Sequence, residues 1–150
     1  MNWSEDKSVK LSRFCVYLFM VIEVAVCISA PWLFRWLVQV RAADLAGSFA
    51  YFLISGYTLA VPAAVALWAL HLLLRNIGEE EVFIPENVRI LRVLSWCCIV
   101  VGLICLVSTL YYMPYLIIAI AAAFVGLILR VVKNVFAEAV HIKNENDFTI

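Results

Sequence analysis

The chain has 150 residues, 66% of them hydrophobic and 15% charged, with a formal net charge of +0 and a mean hydropathy of +1.01. A soluble domain is roughly 45–50% apolar and at this length buries only about 70% of its unfolded surface. A water-soluble fold, a disordered chain and a secreted disulfide scaffold are therefore excluded. The neutral balance supplies no bulk basic field, so direct nucleic-acid binding is not expected.

Four apolar runs are long enough to cross a hydrocarbon core of about 30 Å. The first covers about 14–38, interrupted by Glu23 and Arg35. Its basic start, Lys7, Lys10 and Arg13, resembles a signal-peptide n-region, but the apolar stretch is too long for one and reads as an uncleaved span. The second covers about 49–74, the third 93–113 and the fourth 114–132. Each must be helical, because an isolated strand would leave backbone groups unpaired in lipid. The expected fold is all-α: an integral membrane four-helix bundle, one domain over 1–150.

Between the runs lie a short outer loop at 40–48, an inner elbow at 76–92, and a turn, Tyr111-Tyr112-Met113-Pro114-Tyr115, that makes runs three and four a tight hairpin. The tail at 133–150 begins as a short amphipathic extension of the last helix, since Val132, Val135, Phe136, Ala139 and Val140 share one face. Lys and Arg decide orientation. Nine flank one side (Lys7, Lys10, Arg13, Arg75, Arg89, Arg92, Arg130, Lys133, Lys143) and two the other (Arg35, Arg41). Both termini and the elbow are thus expected in the cytoplasm. Trp32, Trp36, Tyr111, Tyr112 and Tyr115 would form the outer interfacial belt.

No catalytic set stands out, and no cofactor or metal is implied. His71 and His141 have no metal-pair spacing; His71 reads as an interfacial residue, and a proton relay there would need a carboxylate nearby. Glu23 is the carboxylate inside a span, either a proton or cation site or a protonated side chain bonded to a neighbouring helix. Cys15, Cys27, Cys97, Cys98 and Cys105 contain no CxxC and read as small apolar filler. S-acylation is a competing role for Cys15, Cys97 and Cys98 near the inner face. Gly56, Ala60 and Ala64 recur at helical spacing, as do Ala119 with Ala123 and Ala122 with Gly126. Such faces let helices approach closely, within one chain or in a homo-oligomer. Leucine at position 60 would then overpack its seam.

The elbow reads as a re-entry device. Gly78 ends a helix, Pro85 suits the first turn of the next, and Glu86 favours that helix start. Glu79, Glu80 and Glu81 form either a solvated cap or a docking face for a basic partner. The polar tail ends in Phe148 and Ile150, which a free end would not need. They are expected to fold back on Phe83, Ile84 and Val88, with Asp147 or the terminal carboxylate pairing Arg89 or Arg92. The leading functional reading is a non-enzymatic multi-pass membrane protein with a regulatory or partner-binding role. The alternative is a small transporter, channel or transport subunit with Glu23 in the pathway.

Two motifs carry a family resemblance. Phe83-Ile84-Pro85-Glu86-Asn87, followed by Arg89, Leu91 and Arg92, is similar to the elbow of the bacterial membrane-protein family catalogued as domain of unknown function 2975. Glu145-Asn146-Asp147-Phe148-Thr149-Ile150 is similar to that family's closing Glu-x-Asp-Leu-Thr-Ile. Here Gly78 stands farther from Phe83, Val82 replaces a common Pro, and Phe148 replaces Leu. The resemblance implies a multi-pass protein of the bacterial cytoplasmic membrane, in contact with the lipid bilayer. Because family members often sit beside small helix-turn-helix regulators, it also implies such a regulator as partner. The partner-binding residues it singles out are Phe83, Glu86, Asn87, Arg89, Arg92, Glu145, Asp147, Phe148 and Ile150.

Overall fold

The computed structural model describes residues 3–40 and 47–147, with the backbone alone at 3–6 and 147. It consists of four helices: α1 (Trp3–Val40), α2 (Phe49–Gly78), α3 (Pro85–Ser108) and α4 (Tyr115–Asp147). All four are long and apolar enough to cross a membrane. Pro31 lies inside α1 and Pro62 inside α2 without ending either helix, as membrane helices tolerate. Arg41 and most of the first outer loop lie outside the described residues.

The helix bounds differ from the expected spans where polar residues keep helical geometry. α1 begins at Trp3 rather than near 14, and α4 runs unbroken through Lys133 to Asp147. The elbow at 76–92 takes in the end of α2 and the start of α3, with Gly78 and Pro85 at the helix ends as expected. Its non-helical part is 79–84, because Pro85 starts α3 and the Arg89–Arg92 stretch forms its first turns. Glu80 takes a left-handed backbone, φ 64°, where the chain reverses after α2.

A closed bundle does not form. Each helix packs on its neighbour in sequence: α1 on α2, α2 on α3, α3 on α4. Among the described residues no backbone contact joins α1 to α3 or α4, or α2 to α4. The arrangement is an open row. Its centre is α3, with 39% of its apolar window buried, against 11% for α1, 17% for α2 and 11% for α4. The outer faces of the row carry large apolar side chains such as Ile28, Trp32, Ile117 and Phe124, all exposed. In water such a surface would aggregate; in hydrocarbon it costs nothing.

Two clusters tie the row together. At one end, Ala69 of α2 and Ile90, Leu91 and Leu94 of α3 are buried, covered by Leu129, Val132 and Phe136 of α4. At the other, Phe52 is 1% exposed. Its ring lies 5.9 Å from Phe34, 5.1 Å from Tyr111 and 5.3 Å from Tyr112. Tyr111, Tyr112 and Tyr115 are therefore half-buried around Phe52 rather than a freely exposed belt. Tyr111 donates to Ser55 Oγ at 2.6 Å, and Ser55 donates to Phe52 O at 3.1 Å, which satisfies these hydroxyls. Trp32 and Trp36 stay exposed.

Candidate functional site

The elbow is built on one buried side chain. Asn87 sits in the first turn of α3 and is 0% exposed. Its Nδ2 donates to Glu81 O and Val82 O, both at 2.8 Å, and its Oδ1 accepts from Asn76 Nδ2 at 2.8 Å. Asn76, also buried, accepts at its backbone oxygen from Glu79 N and Glu81 N. The loop carbonyls that neither helix can satisfy are thus closed by an amide pair. Asn87 therefore leaves the partner-binding set: a side chain fully buried and fully bonded inside the loop cannot meet a partner.

Around this amide the elbow shows a mixed surface. Phe83 is 46% exposed and lies 5.6 Å, ring to ring, from Phe136 of α4. Glu79, Glu80, Glu81, Glu86 and Arg89 are exposed, and Glu79 pairs loosely with Arg75 at 4.0 Å. Arg92 is exposed too, but faces a groove toward α4 together with Arg130 and Lys133. The last helix meets the elbow at Phe136 and then continues. Asp147 lies 11 residues farther on, roughly 16 Å along a helix axis. The helix does not turn before Asp147, and the expected fold-back rests on residues at and beyond that point. Phe148 and Ile150 lie outside the described residues, and Asp147 is described in its backbone only. Glu145 is exposed, with a carboxylate oxygen 3.6 Å from His141 Nδ1. Val132, Phe136, Ala139 and Val140 are buried or half-buried as the expected face requires, Val135 is exposed, and Lys133 joins the inward side.

A second polar locus lies in the seam between α1 and α2. The buried and half-buried residues of α1 include Val16, Met20, Glu23, Cys27, Ala30 and Phe34, alternately four and three apart. That spacing turns one face toward a neighbouring helix. Glu23 is on it. Its Oε1 is buried without a hydrogen-bond partner, and the residue lines a groove of about 210 Å³ beside Gly56, Ala60 and Ala63. Gly56 is held against Phe34, since a Cβ there would lie 2.8 Å from the ring. Ala64 is exposed, and Ala63 rather than Ala64 continues the small-residue stripe beyond Ala60. Farther along the seam His71 lies between Tyr17 and Trp68, with its Nδ1 buried and unpartnered. At the end, Arg13 Nη2 donates to Leu74 O at 3.3 Å. The cation sits at the carbonyl end of α2, where the helix dipole favours it. A Cβ at Gly78 would lie 2.7 Å from that nitrogen, so the guanidinium would have to shift to admit one. Tyr57 closes the seam from α2, donating to Cys27 O at 3.2 Å.

The seam between α3 and α4 carries no such leftovers. Gly102 faces Ala119 and Ala122, and Gly126 faces Cys98 and Ser95. Ser95 Oγ donates across to Gly126 O at 3.0 Å. Ala122 and Gly126 thus pack as their spacing indicates, and Ala123, although exposed as a whole, presents its backbone nitrogen to Gly102. Gly102 and Ser95, on the facing helix, escape a reading that looks for repeats of small residues within one helix. Cys97 and Cys105 are buried in the row and Cys15, Cys27 and Cys98 half-buried, all five as free thiols. Among the described residues no three His, Cys, Asp or Glu side chains come together.

No curated protein and no solved structure matches the chain. One family model does match, over residues 4–150, which takes in all four helices, the elbow and the tail. The chain therefore belongs to the family described as "Protein of unknown function (DUF2975)".

Proposed function

We propose that the protein is a non-enzymatic, multi-pass protein of the bacterial cytoplasmic membrane that holds a soluble regulatory partner at its elbow. Both termini and the elbow face the cytoplasm, as the nine-to-two division of Lys and Arg favours. The observation that carries the reading is the construction of the elbow. A buried Asn76–Asn87 amide pair fixes its backbone, while Phe83, Glu86 and Arg89 stand outward on it. A loop that served only to connect two helices would not need a half-exposed aromatic in tilted ring contact with Phe136 beside a run of acids. Beyond it, α4 continues as a helix past Glu145, which is exposed.

The partner class is a small helix-turn-helix regulator of the kind that accompanies family members. A bacterial two-hybrid assay between this chain and a small helix-turn-helix regulator tests the reading. The double variant Phe83→Ala/Glu86→Arg should abolish the signal, while Asn146→Ala in the distal tail weakens it less. Undiminished binding by the double variant rejects the elbow as the docking surface.

The groove at Glu23 favours a second reading, a small transporter or transport subunit. Its support is the unpartnered carboxylate oxygen on the packed face of α1. Proton flux in liposomes that falls with Glu23→Gln supports it; equal flux in the variant rejects it.

A further inference from the structure

The charged ends of α3 and α4 enclose a polar groove of about 350 Å³, lined by Arg92, Ser95, Trp96, Arg130, Lys133 and Asn134. Three cations from two helices converge there, and no carboxylate lines it. Among the described residues none of the three forms an ion pair with an acid. Like charges on neighbouring helices repel unless something between them is negative. Two details separate this groove from a row of solvated lysines. Arg130 is exposed, yet its guanidinium lies over the Trp96 ring, 5.4 Å from its centroid, a cation–π contact that fixes its place at the groove. Lys133 occupies the inward stripe of α4, between Leu129 and Phe136, where apolar packing would be expected.

The level of the groove identifies the anion. On α3 the residues turn from charged to apolar after Arg92, and on α4 they turn from apolar to charged at Arg130. Both changes fall at the groove. In a membrane that is the headgroup layer, where Trp rings also prefer to lie. Ser95 already donates to Gly126 O, which leaves the two guanidinium groups, the ammonium and the Asn134 amide as free donors.

We propose that this groove binds the phosphodiester headgroup of an anionic membrane lipid, its acyl chains lying along the exposed apolar faces of α3 and α4. Arg92 and Arg130 would clamp the phosphate oxygens in their planar fork geometry, and Lys133 would add a point charge. The site is independent of partner docking at the elbow, which uses Phe83, Glu86 and Arg89.

Native mass spectrometry of the purified full chain, titrated with phosphatidylglycerol or phosphatidylcholine, tests the proposal. The expected result is one retained phosphatidylglycerol per chain, in preference to phosphatidylcholine. Each cation removed should weaken retention about fivefold, so Arg130→Gln/Lys133→Gln should weaken it about 25-fold. Arg75→Gln, a cation at the same end of the row but outside the groove, should leave it unchanged. Trp96→Leu, at an exposed position, should lower retention without disturbing the fold and serves where the double variant unfolds. Equal retention of both lipids, an equal loss with Arg75→Gln, or full retention by both groove variants would overturn the proposal. Displacement of the lipid by inorganic phosphate at equal concentration would also overturn it, by assigning the groove to a soluble anion.

Discussion

Between α3 and α4, glycine and alanine bring two backbones together: Gly102 rests on Ala119 and Ala122, and Gly126 on Cys98 and Ser95. The one hydroxyl in that contact is spent on a carbonyl of the partner helix. Between α1 and α2, the side chains are just as regularly spaced, but Arg13 Nε, Glu23 Oε1 and His71 Nδ1 are buried with no partner. Lipid supplies no hydrophobic force to press helices together, so tight packing and satisfied polar groups are what hold a pair. By that measure α3–α4 is the structural half of the molecule. The α1–α2 seam retains buried polar atoms that have no partner among the described residues, at a cost of roughly 1–3 kcal/mol each.

The comparison can be broken by substitution. The largest effect is expected at the elbow, which fastens the two halves. Asn87→Ala leaves Glu81 O, Val82 O and Asn76 Nδ2 unpaired and should cost about 3 kcal/mol. A large fall in thermal midpoint in detergent, with new protease cleavage at 79–84, is the expected outcome. Next, Gly126→Val must force α4 away from Cys98, whose Cβ would stand 3.2 Å from the new Cβ, at roughly 2 kcal/mol. The same thermal measurement checks it.

The α1–α2 seam should respond less. The sequence favours overpacking by Ala60→Leu, but the groove of about 210 Å³ beside it can take the added carbons. The expected loss is below about 1 kcal/mol. Smallest of all, Glu23→Leu removes a buried oxygen that has no partner and should leave the thermal midpoint unchanged or slightly raised. A ranking in which Ala60→Leu or Glu23→Leu destabilises more than Gly126→Val would invert the roles of the two seams.

Much of this was legible in the sequence, and the limits have physical causes. The four apolar runs were plain, because lipid demands about 20 apolar residues per helix. Gly78 and Pro85 marked the two sides of the elbow; Pro85 acts through the backbone itself, whereas Gly78 stays helical and the left-handed residue of the turn is Glu80. The order of packing was not legible. A helix that is apolar all round gives no periodic signal for which face meets a neighbour, so the open row could not be told from a closed bundle. Glu23 stood out by its charge, yet its place on the packed face of α1 follows only from the neighbours of that face. Asn87 was misread for the opposite reason. A polar residue between Glu86 and Arg89 looks exposed, and only the loop's unpaired carbonyls explain its complete burial. The continuation of α4 to Asp147 was hidden because a charged segment can be helical without being buried.

The central structural claim is that the helices stand in chain order and that α1 does not meet α4. Spin labels at Val26 in α1 and Phe124 in α4, both on exposed faces, test it most directly by pulsed electron resonance in nanodiscs, with the labelled protein diluted in unlabelled protein. A label pair on the neighbouring helices α3 and α4, at Leu103 and Ile120, sets the scale, since adjacent axes lie about 8–10 Å apart. The open row predicts an α1–α4 distance clearly longer than that reference. An α1–α4 distance as short as the reference would mean that the helices close into a bundle, and would contradict the account.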